Sequence, residues 1–149
     1  MARRGASRGP KPPQNQAAAG AWTRHELRLP VWQFVRLMVQ VKESLARVPD
    51  PGAAALSRAW SEVWTEVDSE LTKLGKEDSR AFAYLMMDQE VVLEPVSPDQ
   101  ARTAARVLAA VVRTMRADLK SASDEGQRAE DLRFEIAELE ETLNGLPQV

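Results

Sequence analysis

SPDQARTAARVLAAVVRTMRADLK, residues 97–120, is the most sharply delimited helix in the sequence, and its two faces set what the rest of the chain must supply. Ser97 is placed to cap it, Pro98 suits a first turn whose amide needs no partner, and Gln100 completes the spacing of a capping box. At about 100° per residue, Ala101, Ala104, Ala105, Leu108, Val111, Val112, Met115 and Leu119 share one broad apolar face. A face that wide needs more than one neighbour. On the opposite side Arg102, Arg106, Arg113, Arg116 and Lys120 fall within an arc of roughly 80°. Such a stripe is most often a solvated surface; it would also serve as a dock for an acidic helix or a contact for nucleic-acid phosphates.

The segment that follows supplies the acids. After a polar loop at 121–128, a last helix over 129–149 places Leu132, Ile136, Leu139, Leu143 and Leu146 at steps of 4, 3, 4 and 3, a coiled-coil-like seam. A seam this short is marginal alone and must pack on something. Its outer positions carry Glu130, Asp131, Glu135, Glu138, Glu140 and Glu141, complementary to the arginines before it, so an antiparallel hairpin is expected. Phe134 lies off the seam among charges, as a second contact surface or as a single exposed ring. Folded back on its own chain, the seam gives a monomer; laid across a symmetry axis, it gives the homo-oligomer that we expect.

Upstream, Asp78 or Ser79 opens a helix with Phe82, Leu85, Met86 and Gln89 on one side, ending near Val92 because Pro95 disfavours helix at Glu94. Met86 and Met87 with Phe82 fill a core gap or form a pliable binding surface. Val48-Pro49-Asp50-Pro51-Gly52 is a turn in which Asp50 caps the next helix. That helix runs to Leu74 with Gly75 as its stop, turning Leu56, Trp60, Val63, Val67, Leu71 and Leu74 inward. Trp60 and Trp64 suit a core or subunit contact better than a ligand cage. Glu62, Glu66 and Glu70 form a row that resembles one helix of a di-iron bundle, but the Glu-x-x-His such sites need is absent. The row is read as a solvated face or a partner for the Arg stripe. Val31, Phe34, Met38, Val41, Leu45 and Val48 make another seam, widened by Trp32, Val35 and Val39. Order begins at Trp22, where Thr23 and Glu26 match a capping box and Trp22 with Leu27 a hydrophobic staple; Pro30 kinks this helix or starts a new one.

Length and composition set the remaining bounds. A chain of 149 residues carries one cored domain, here residues 22–120 with the C-terminal helix appended. The net charge of −2 conceals blocks: four cations and no acid in 1–20, 14 of each in 21–123, and eight acids against two cations in 124–149. Residues 1–21, rich in Pro, Gly and Ala, are expected to be a disordered basic tail whose Arg3, Arg4 and Arg8 would reach acidic partners or phosphates. No run approaches the roughly 18 apolar residues of a membrane span, and the N-terminus lacks the apolar core of a signal peptide, so a cytoplasmic setting and no membrane are expected.

Catalytic parts are scarce. There is no Cys, no phosphate-cradling glycine loop, no Gly-x-Ser-x-Gly elbow and a single histidine, His25, without ligands spaced around it. No catalytic residue, cofactor, metal or small-molecule substrate is therefore expected. The sequence leads to an all-α, four- to five-helix bundle that acts as a non-enzymatic protein-interaction module with a helical partner. Leu132, Phe134, Ile136, Leu139 and Leu143 are its expected contacts. The alternative is a small nucleic-acid-binding protein that grips phosphates with its tail and with Arg102, Arg106, Arg113, Arg116 and Lys120.

Overall fold

In the computed structural model, which describes residues 22–23, 25–122 and 126–147, the chain opens with strands. β1 (Trp22–Thr23) and β2 (Glu26–Pro30) form an antiparallel hairpin, and β3 (Glu90–Leu93) pairs antiparallel with the other edge of β2. The all-α expectation is corrected at both places. Glu26 to Leu29 alternates with the period of a strand: Leu27 and Leu29 are buried while Arg28 faces solvent. Leu27 lies opposite Leu93 and Leu29 opposite Val91, so four buried side chains make the inner face of the sheet. The capping-box spacing at Thr23 is coincidental, since Glu26 faces Thr23 across the hairpin. Trp22 and Leu27, the expected staple, do pair, but as cross-strand neighbours.

His25 sits beside the turn at φ 67°, a left-handed conformation that His tolerates better than most residues and that tight hairpins use. Its carbonyl accepts from the Val96 amide at 2.7 Å, and the Trp22 indole donates to the Val96 carbonyl at 3.2 Å. The segment after β3 is thereby tied to the hairpin.

Six helices follow among the described residues: α1 (Val31–Arg47), α2 (Pro51–Ala59), α3 (Ser61–Glu77), α4 (Ser79–Asp88), α5 (Pro98–Ser121) and α6 (Gln127–Asn144). Pro30 ends β2 and flanks α1, where its missing amide costs nothing. The single helix expected over 51–74 is divided at Trp60, whose φ of −112° and ψ of 14° leave the helical region. Hydrogen bonds still cross the junction, from Trp60 to Leu56 at 3.0 Å and from Trp64 to Trp60 at 2.9 Å. Gly75 does not stop the chain; α3 continues to Glu77, and a Cβ at Gly75 would lie 3.5 Å from the Phe82 ring of α4. Asp78 ends α3 and caps α4, accepting from the amides of Arg80 and Ala81 at 3.1 Å each. Helix α4 ends at Asp88, four residues earlier than expected at Val92, because Val91 and Leu93 satisfy themselves better in the sheet.

Helix α5 lies at the centre, packed against α1, α2 and α6. Its capping box is complete, with Ser97 and Gln100 exchanging bonds of 2.9 and 3.1 Å. Ala101, Ala104, Ala105, Val107, Leu108, Val111, Val112 and Met115 are buried, as the periodicity requires. Small residues in its first half let α2 approach until a Cβ on Gly52 would come within 3.0 Å of Thr103. One carboxylate secures this junction. Asp50 accepts from the Ala53 amide at 3.0 Å as the cap of α2 and takes the Arg106 guanidinium at 2.9 and 3.0 Å. The Arg106 hydrogen bond first, and the Ala53 amide second, hold its carboxyl below the usual range.

Helix α6 doubles back on α5, burying Leu132, Ile136 and Leu139, with Leu146 beyond its end also buried. At about 1.5–3 kcal/mol per buried side chain, this packing stabilises a helix that would be marginal in water. Gln33 of α1 is only 1% exposed and accepts from the Thr142 hydroxyl at 2.7 Å, which fixes the far end of α6 to α1.

Replacing Asp50 separates its two tasks. Asp50→Ala loses cap and charge and is expected to cost about 1–2 kcal/mol, whereas Asp50→Asn keeps the cap and costs about half that. Because the folded-state carboxyl titrates below its unfolded value of about 3.9, the charge-dependent part is full above that pH and is lost as pH falls through the lowered value. The urea-midpoint difference between wild type and Asp50→Asn should therefore hold from about pH 7 to about pH 5 and shrink below about pH 4; no difference at neutral pH would contradict the pair. Thr142→Val deprives the Gln33 oxygen of its donor and should cost about 1–3 kcal/mol, with partial recovery on adding Gln33→Leu. Equal losses with and without Gln33→Leu would show that the bond contributes nothing.

Candidate functional site

The surface of the helical layer is interrupted by a groove of about 740 Å³, bounded by α1, α4, α5 and α6. Trp32, Val35 and Val39 come from α1, the helix whose apolar stripe is wider than one neighbour can cover. Phe82, Met86 and Met87 come from α4, Val111 and Met115 from the second half of α5, and Phe134 from α6. Three of the five methionines of the chain thus meet in one place. Val39 is 41% exposed, Met87 38% and Phe134 49%, so apolar side chains on three separate helices form wet lips around a drier floor.

Polar side chains border this surface. Arg36 of α1 donates to Glu135 of α6 at 2.8 Å, an ion pair between two walls of the groove. Asp131 accepts from the Gln127 side-chain Nε2 at 2.8 Å, and Glu43 and Asp118 are exposed at the margin. Trp32 is 4% exposed and its indole N–H has no hydrogen-bond partner among the described residues. Its body therefore packs in the wall while the donor remains unpaired. Among the described residues no group of three or more His, Asp or Glu is placed to hold a metal ion.

Of the contacts expected on the last helix, Leu132, Ile136 and Leu139 are buried in the chain's own core and Leu143 packs partly buried against it. Phe134, off the seam, is the one that reaches an open surface. The basic stripe is partly neutralised: Arg102 pairs with Asp99, Arg106 with Asp50 and Arg116 with Glu140 of α6. Arg113 and Lys120 are exposed and enter no ion pair among the described residues. The charge match between α5 and α6 is thus realised at Arg116, while Glu135 serves α1. Arg3, Arg4 and Arg8 lie outside the described residues. Trp60 is buried, and Trp64 stands 6.3 Å from the Phe34 ring with Lys42 over its face at 4.9 Å. The sequence marked Phe82, Met86 and Met87 together, and Phe134 separately, as core fill or surface candidates; their convergence with Val39 and Trp32 needed the fold. No helix among the described residues is long and apolar enough to cross a membrane.

No protein-family model, no curated protein and no solved structure matches this chain.

The unpaired indole gives a direct check on the groove wall. Trp32→Phe removes contact area but also an unsatisfied buried donor, and the two effects offset, so unfolding in urea should shift by less than about 1 kcal/mol. A loss of about 3 kcal/mol would mean that the N–H is satisfied after all.

Proposed function

We propose that this protein is a non-enzymatic helical interaction module, an adaptor or complex subunit, that receives a helix of a partner protein in the groove between α1, α4, α5 and α6. The observation that carries this reading is the convergence of Val39, Met87 and Phe134, exposed on three helices, around a single apolar floor. A small ligand on the floor would leave those lips in water. A helix about 10–12 Å across covers floor and lips together, presenting its anchors at i, i+3 or i+4, and i+7 to the apolar lining. Met86, Met87 and Met115 add adaptability, because an unbranched thioether repacks around different anchor shapes at small cost. The Leu seam of α6 is occupied by its own chain, so the surface offered to a partner is Phe134 and its surroundings.

The test is a fluorescence-anisotropy titration of labelled synthetic amphipathic helices with the full chain. The helices share one leucine face and carry polar faces of lysine, glutamine or glutamate. At least one should bind with a Kd in the micromolar range, and Met87→Asp or Phe134→Asp should weaken it about tenfold or more. These residues are already exposed, so both variants should keep wild-type helicity by circular dichroism. Failure of every helix to bind, or binding indifferent to both substitutions, would contradict the proposal.

A further inference from the structure

Resting on that helix-in-groove reading, we infer that the occupant is a basic amphipathic helix. Four carboxylates stand around the apolar floor, Glu43 on α1, Asp118 on α5, and Asp131 and Glu135 on α6, against one guanidinium, that of Arg36. Arg36 is already engaged by Glu135 at 2.8 Å. The other three acids form no ion pair among the described residues. They come from three of the four helices that bound the groove, α4 contributing none, so a helix lying in it meets carboxylates from more than one wall.

This arrangement favours one charge pattern in the partner. Lysine or arginine beside the leucine face can lay its alkyl stem on the apolar lips while its head reaches a rim carboxylate. A glutamate at the same place meets like charge in a partly desolvated setting. Exposed pairs are individually weak, so several acting together should give a preference of about tenfold, strongest at low salt. A second copy of this chain is a poor occupant. Its own cationic helix, α5, turns its apolar face into the core, and three of its five stripe cations are held by Asp99, Asp50 and Glu140.

The experiment compares the three probe helices, each about five turns long, on the full chain at about 0.05 M and about 0.5 M salt. The lysine-faced helix should bind about tenfold more tightly than the glutamine-faced one at low salt, and the glutamate-faced one more weakly still. The lysine preference should fall to about twofold at high salt. Asp118→Lys with Glu43→Lys should abolish the preference, and the milder Asp118→Asn with Glu43→Gln should reduce it; binding of the glutamine-faced helix reports whether each variant keeps an intact groove. Equal binding of lysine- and glutamine-faced helices would overturn this inference and leave the helix-receiving reading standing, whereas no binding by any of the three would remove both. A lysine preference unaltered by either pair of substitutions would place the cationic contacts elsewhere and overturn it. A concentration-dependent dimer that dissociates on Phe134→Asp would give the groove to a second copy, with the same consequence.

Discussion

The whole arrangement depends on burying one face of α5 against three other helices. That face tapers. Ala101, Ala104 and Ala105 are the small residues of its first half, where a Cβ on Gly52 of α2 would come within 3.0 Å of Thr103, whereas Val111, Val112 and Met115 are the larger ones of its second half. The junction with α2 is therefore tight. Helix α4 packs on α1 and α3, and the groove opens between it and the second half of α5.

Around this centre, polar contacts choose between arrangements that apolar burial alone would leave close in energy. Most of the ion pairs are exposed and worth little each. Asp50 differs, because one carboxylate caps α2 and grips Arg106 of α5, so helix initiation and helix packing are coupled in a single group. The Gln33 to Thr142 bond does the same for α1 and α6 in a buried setting, where an unmade bond is costly. Arg36 and Glu135 join the same two helices beside the groove, an exposed pair that adds little beyond the buried bond.

Much of this was legible in the sequence where a signal was long or doubly marked. The α5 helix had both a periodic face and a capping box, and Asp50-Pro51 announced the start of α2; both starts stand where expected. The sheet was hidden because β2 spans five residues and β3 four, each beside sequence that also fits a helix, and pairing them spans more than 60 residues. Local pattern carries no record of such a partner. Trp60 shows a different limit: the apolar stripe runs through it without interruption, and only the backbone angles reveal two helices. For the site, the Phe82, Met86 and Met87 group and, apart from it, Phe134 were visible as residues with two fates. Which fate each met depended on α1 and α6 arriving on either side of α5, which no local spacing encodes.

The functional account follows from physical incompleteness: a wide apolar stripe on α1 that its neighbours do not fully cover, methionines that can adapt, and carboxylates ranged round the gap. Methyl NMR of methionine-labelled protein tests this most directly, since reporters lie both inside and outside the groove. On adding the lysine-faced helix, the methyl resonances of Met86, Met87 and Met115 should shift together while that of Met38, buried away from the groove, stays in place. An unmoved set at saturating peptide, or shifts at Met38 as large as those at Met87, would contradict the account.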